Sequence, residues 1–317
     1  MMQIKDQMGM IPVPGGRVWY RSVAADRDGT PLLVLHGGPG APHDYLENLS
    51  DLADERPVIF YDQLGCGRSE RPDDSSLWNL PRFVSELAAV RSALRLERLY
   101  LLGQSWGALL AISYLLEHGT CGVAGLILSG PLLSSPAWMR DQRMLLEQMP
   151  DDVQDVISLA ERENIFDTPA YQAAMDTYYR RHLCRLDPWP DCLQRTFEQL
   201  GLQVYLTMWG PSEFTCTGNL AQVDLMPRLG GLDLPVLITC GRHDEATPAT
   251  CEAYRELIPS ARLVMLEDAS HEHHLEQPGR YLAAVRRFFA SYDQKYPVTG
   301  GTETMAVFEG APAAEQQ

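Results

Sequence analysis

The sequence is short of positive charge, of paired cysteines and of long apolar runs. Lysine and arginine number 26 against 42 aspartates and glutamates, a formal net charge of −16 over 317 residues. A surface of that sign repels polyanions, which argues against nucleic acid as a partner and equally against an anionic membrane surface. The seven cysteines (Cys66, Cys121, Cys184, Cys192, Cys216, Cys240 and Cys251) are odd in number and scattered, and none forms a CxxC pair. That pattern disfavours a disulfide framework or a zinc ribbon and points to a reducing compartment. No stretch approaches the roughly 18 apolar residues of a membrane span. The first 14 residues lack an apolar run behind a basic segment and do not read as a signal peptide. A cytoplasmic protein is therefore expected. Internal repeats are also missing.

What is present is a hydrophobic content of 45%, enough for one large domain with a smaller inserted unit. The first half alternates short apolar runs with helical patterns. Strands are expected at residues 17–23, 32–35, 58–61, 99–102 and 126–128, with helices at 81–96 and 108–117. In the first of these helices Phe83, Leu87, Val90 and Leu94 recur at helical spacing. Short apolar strands alternating with helices imply an α/β fold, a mostly parallel sheet covered on both faces. Ligands of such sheets bind beyond the carboxyl ends of the strands. From about residue 134 to 224 the pattern turns helical and aromatic-rich, and is expected to form an inserted helical cap. Sheet rhythm resumes with strands at 236–240 and 262–266, a helix opening near Pro248, and a last helix at 278–292. The division expected is thus core at 1–133 and 225–292, cap at 134–224, and a disordered tail at 293–317, rich in Gly, Ala, Thr and Glu.

One pattern carries chemistry. Gly103-Gln104-Ser105-Trp106-Gly107 lies between a strand and a helix, the arrangement of a nucleophile elbow, in which glycines permit a sharp turn and the serine is presented above the sheet. Serine needs a base, and the base needs an orienting acid. On an α/β-hydrolase sheet these follow in the order Ser, Asp or Glu, His. Asp244 follows the strand at 236–240 and His271 follows the strand at 262–266, so Ser105, Asp244 and His271 are the candidate triad. Asp268 is the chief rival for the acid, His243 reads as a neighbour of Asp244, and His36 as a residue that holds its loop. Donors for an oxyanion are expected from the backbone N–H of Trp106 and, in His36-Gly37-Gly38-Pro39-Gly40, of Gly38. His271-Glu272-His273-His274 does not complete an H-E-x-x-H metal motif, and neither a metal nor any other cofactor is expected.

Together with Asp62-Gln63-Leu64-Gly65-Cys66-Gly67-Arg68-Ser69, these motifs resemble those of the proline iminopeptidases. Trp209-Gly210-Pro211-Ser212-Glu213-Phe214-Thr215 and Gly241-x-x-Asp244-Glu245-x-Thr247-Pro248 are most similar to the tricorn-interacting branch. The resemblance covers residues 13–289. It implies an α/β-hydrolase fold and metal-free release of one N-terminal residue, often proline, from short peptides by the Ser105–Asp244–His271 triad. It also implies that Glu213 and Glu245 hold the free α-ammonium group of the substrate. Tyr205 and Trp209 are candidates for lining the side-chain pocket. Two features depart from the family pattern: Ala108 stands where many relatives have glycine, and Glu272-His273-His274 is expected to alter the pocket rim. A close rival activity with the same machinery is hydrolysis of amino-acid amides or esters, including a biosynthetic intermediate. A silent ligand-binding protein on this fold is a rival from another class.

Overall fold

The computed structural model of the chain describes residues 5–293. Most of the segment expected as a tail lies outside them; its first residue, Asp293, ends the last helix. Eight strands among the described residues form one sheet: β1 (Gln7–Val13), β2 (Gly16–Val23), β3 (Leu32–Leu35), β4 (Val58–Tyr61), β5 (Leu99–Gln104), β6 (Val123–Ser129), β7 (Val236–Gly241) and β8 (Ala261–Leu266). Their order is β1-β2-β4-β3-β5-β6-β7-β8. β1 pairs antiparallel with β2, and β2 with β4; every other pairing is parallel.

The period of two along each strand divides the core into two layers. On β3, Leu33 and Leu35 join Leu99, Leu101, Leu126 and Leu128 on one face. There they pack with α1 (Leu80–Ala93), α2 (Trp106–His118) and α8 (Pro248–Leu257) through Phe83, Leu87, Leu109 and Tyr254. Leu32 and Val34 join Tyr100 and Leu102 on the other face, under a 3-10 segment at His43–Asp54 and α10 (Pro278–Asp293). Both faces are covered, which explains why β3 to β7 read as continuous apolar runs rather than alternating ones.

The edge strand β1 does not stand out in the sequence. Met8 and Met10 are exposed and Ile11 is buried, so its pattern is that of a strand half in water, joined to β2 by a turn at Gly15 with φ 92°. Between β6 and β7 lie α3 (Ser135–Leu146), α4 (Asp151–Glu163), α5 (Pro169–His182), α6 (Asp191–Glu198) and α7 (Leu202–Met208). They carry a core of their own, with Leu146, Val153, Ile157, Tyr171, Tyr178 and Phe214 in contact. α3 and α5 each open on a capping side chain, Ser134 and Thr168, with proline in the first turn, a start signal that also marks Thr247-Pro248 at α8.

Candidate active site

The loops that follow β3, β5, β7 and β8 at their carboxyl ends bring Gly38, Ser105, Glu245 and His271 to one cavity of about 320 Å³. The inserted helices and the loop after them supply its other wall, through Met175, Tyr179, Phe197, Tyr205 and Glu213 among others.

Ser105 occupies the turn between β5 and α2 with φ 52° and ψ −119°, a conformation an L-residue holds only when its surroundings impose it. The imposing contacts are backbone. A Cβ on Gly103 would overlap the carbonyl of Gly107, and one on Gly107 would overlap the carbonyl of Leu35. β5 runs two residues beyond the expected 99–102 because Gly103 and Gln104 keep their pairing with Leu128 and Ser129. α2 begins at once, at Trp106 instead of residue 108. The Trp106 N–H is therefore one of the first-turn donors that helix geometry leaves without an intrahelical acceptor. Its indole N–H donates to Gln63 Oε1 at 2.9 Å.

Asp244 and His271 are both buried, and Asp244 Oδ1 lies 2.7 Å from His271 Nδ1. The Ala246 N–H also donates to Asp244 Oδ1, at 2.8 Å, and the Gly241 N–H donates to Oδ2 at 3.1 Å. Burial alone would push the Asp244 carboxyl up. The charge of His271 and the hydrogen bonds from His271 and His273 outweigh it and hold the carboxyl well below the usual range. An ionised Asp244 fixes the imidazole with its proton on Nδ1 and leaves Nε2 for the cavity. Burial alone would lower the His271 pKa, but Asp244 and Glu245 together carry it up to about 10. Glu245 Oε1 lies 3.7 Å from His271 Nε2. Asp268 is exposed and His243 is half-buried; the His243 carbonyl accepts from His182 Nδ1 at 2.9 Å.

Gly38, with φ 105°, lies on the cavity wall beside Ser105. Its loop is tied to the elbow by a relay: the Gly37 N–H donates to the Tyr45 hydroxyl at 2.7 Å, which donates to Gln104 Oε1 at 2.6 Å. His36 braces the loop from below. Its Nε2 accepts from the Gln63 N–H at 2.8 Å, and burial lowers its pKa to about 4, so it stays neutral.

Glu245 is 1% exposed, and its Oε2 has no hydrogen-bond partner. Burial first, then Glu213 and Asp244, drive its carboxyl well above the ordinary value. Glu213 Oε1 accepts from the Tyr205 hydroxyl at 2.6 Å, and burial raises this carboxyl too. Two acidic side chains thus face one cavity, and one oxygen of Glu245 lacks a donor.

Tyr205 lines the cavity; Trp209 is not among its lining residues. The Trp209 ring is buried behind the wall, edge-on to Trp138, and its N–H donates to the Ser212 carbonyl at 3.0 Å. The histidine-rich stretch does not form a rim. His273 and His274 are 0% exposed in the short helix α9 (His273–Glu276). His273 Nε2 meets Ser129 Oγ and Thr239 Oγ1 at 3.0 and 2.9 Å, beneath Asp244. Of the three residues after His271, Glu272 alone reaches the cavity. Sequence reasoning placed Glu272 at the pocket rim together with the two histidines, and missed Gln104 and Tyr45 as cavity residues. Gln104 had a signal in its place inside the elbow motif, whereas Tyr45 had none. Among the described residues, no three His, Cys, Asp or Glu side chains are grouped to hold a metal ion.

Residues 30–278 match the family model of the alpha/beta hydrolase fold. Together with the sheet order, this makes the protein an α/β-hydrolase. A proline iminopeptidase of Heyndrickxia coagulans is 43% identical over 284 residues, covering 89% of this chain and 98% of that one. Among solved structures, VinJ superposes with a TM-score of 0.85 at 34% identity, covering 90% of this chain and 99% of VinJ. The proline iminopeptidase of Mycobacterium smegmatis gives 0.84 at 33%, covering 91% and 99%. The chain belongs to the proline iminopeptidase family of α/β-hydrolases, and is a serine peptidase.

Proposed function

We propose that the chain is an aminopeptidase that releases an N-terminal residue, proline or another small apolar residue, from short peptides through an acyl-enzyme on Ser105. The observation that carries this reading is the placing of two carboxyls, a buried Glu245 with an unpartnered oxygen and a half-buried Glu213, in the cavity that holds Ser105 and the Asp244–His271 pair. Charge-assisted hydrogen bonds are strong where water is excluded. A free α-ammonium satisfies both carboxyls; an internal peptide nitrogen carries no charge to offer, so cleavage is confined to the first residue.

In this mechanism His271 Nε2 takes the Ser105 hydroxyl proton as Oγ attacks the scissile carbonyl. The N–H groups of Trp106 and Gly38 hold the oxyanion. His271 returns the proton to the leaving amine, and water then releases the acyl group. In the empty site, Asp244 and Glu245 favour a protonated His271, which cannot act as base. An arriving ammonium neutralises Glu245 and frees the imidazole to lose its proton, so binding of the right substrate prepares the base.

The finer placement beside the tricorn-interacting aminopeptidases rests on residues 209–215 and on Asp244-Glu245-x-Thr247-Pro248. A cytoplasmic site of action is supported by seven cysteines that are all unpaired, and no helix among the described residues is long and apolar enough to cross a membrane. The net charge of −16 supports a small cationic substrate over nucleic acid. A fluorophosphonate probe should label the wild type once, at Ser105, and Ser105→Ala should lose both labelling and prolyl arylamidase turnover while keeping its melting temperature. Turnover retained by the alanine variant would refute the mechanism.

A further inference from the structure

Glu272 has no part in the mechanism above, yet it is buried, lines the same cavity as Ser105, and leaves Oε2 without a hydrogen-bond partner. The imidazole that faces this oxygen offers no donor. His274 Nε2 lies 3.0 Å from the Tyr45 carbonyl, and a carbonyl only accepts, so Nε2 carries the ring proton. Nδ1 is then a bare acceptor. It is itself buried and unpartnered, and it faces Glu272 Oε2 at 3.6 Å. Two buried acceptors facing each other need a proton, which a neutral Glu272 supplies; an ionised Glu272 is left with an orphaned acceptor, at a cost on the order of 1–3 kcal/mol, unless a cation reaches it.

The α-ammonium of a substrate is already accounted for by Glu213 and Glu245. Part of the cavity wall is apolar. The Glu272 N–H donates to the Leu183 carbonyl at 2.8 Å, and Leu183, Leu193 and Met175 also line the cavity. An aliphatic stem ending in a cation matches that arrangement, the stem against the leucines and the charge at the carboxyl.

We propose that Glu272 is a specificity-determining residue that receives a second cation, on the side chain of the substrate's N-terminal residue, so that the enzyme also releases N-terminal diamino acids of the lysine and ornithine class. The inference rests on the aminopeptidase reading and extends it. In the empty cavity, burial carries the Glu272 carboxyl up to about 8, so at neutral pH a proton sits where the substrate cation will go. A side-chain ammonium has an ordinary pKa above 10 and keeps its own proton, so binding exchanges the Glu272 proton for the cation and leaves no unpaired charge buried.

The test compares prolyl, norleucyl, ornithyl and lysyl arylamides on the full-length wild type and on Glu272→Gln and Glu272→Leu. Norleucine carries the lysine stem without the charge. The wild type should prefer lysyl over norleucyl substrate in kcat/KM, and that ratio should fall on the order of tenfold or more in both variants, mostly through KM. Prolyl turnover with no lysyl preference in the wild type would overturn the inference alone. So would a ratio that the substitutions leave unmoved. Failure of the wild type on all four substrates would sink the aminopeptidase reading itself.

Discussion

At Glu245 and His271, one carboxyl and one imidazole are held 3.7 Å apart in a dry site; the carboxylate favours a protonated imidazole, and the imidazolium favours an ionised carboxylate. The consequence is a pH dependence with a definite sign. A general base works in its neutral form, so a His271 pKa raised to about 10 sets the acid limb of kcat/KM at high pH, since that parameter reports the free enzyme. Glu245→Gln removes a negative neighbour. The His271 pKa then falls, and the acid limb should move to lower pH by on the order of one unit, even as KM for a free-amine substrate rises. A pH profile of prolyl arylamide hydrolysis for both proteins checks this; a limb that stays put would mean that Glu245 does not act on His271. Ser105, Asp244 and His271 were legible as candidates because motif and chain order agree. Glu272 was legible only as one member of a stretch expected at the rim; burial and an empty hydrogen-bond position, which spacing does not carry, single it out from its neighbours. Trp209 misled for the opposite reason: an aromatic in a helical insertion can face the cavity or stand behind its wall, and the residue type is the same in both.

At the scale of elements, the β5–Ser105–α2 elbow depends on backbone passing backbone. Gly107 approaches the Leu35 carbonyl too closely for a Cβ, and the atoms it meets are main chain of Leu35 and His36 at the end of β3, which cannot swing aside. Gly107→Ala should therefore destabilise the fold by about 1–3 kcal/mol and lower kcat more than KM, because the strain is relieved by shifting Ser105. Chemical denaturation paired with steady-state kinetics would measure both; an alanine variant with wild-type stability and turnover would show the close approach to be unimportant. Of the strands inside the sheet, β3 and β4 were read from the sequence at their true limits and β7 within one residue, because burial on both faces makes them continuous apolar runs; β6, expected at 126–128, runs from Val123 to Ser129. β5 extends through Gly103 and Gln104, residues with little strand preference that are held there by register with β3 and β6. The edge strand β1 escaped notice because only one of its faces is covered.

For the whole molecule, the sheet and the inserted helices contribute unlike chemistry to one cavity. The carboxyl ends of the strands bring Ser105, Glu245 and His271, and the polypeptide beyond α7 brings Glu213 across to them. The α/β class and the helical character of residues 134–224 could be anticipated from the change in hydrophobic rhythm. How the insertion docks could not, since contacts such as Gln142 to Glu245 and Trp138 to His271 join segments whose separation in sequence says nothing of their approach. A net charge of −16 also biases the surrounding field toward cations, in keeping with a substrate recognised by its ammonium group. That recognition is the central claim, and the most direct measurement is the ratio of kcat/KM for prolyl arylamide to that for N-acetylprolyl arylamide. With two charge-assisted contacts at stake, the free amine should be favoured on the order of 100-fold or more, and Glu213→Gln or Glu245→Gln should each shrink the ratio. Equal hydrolysis of the acetylated and free substrates by the wild type would contradict the account.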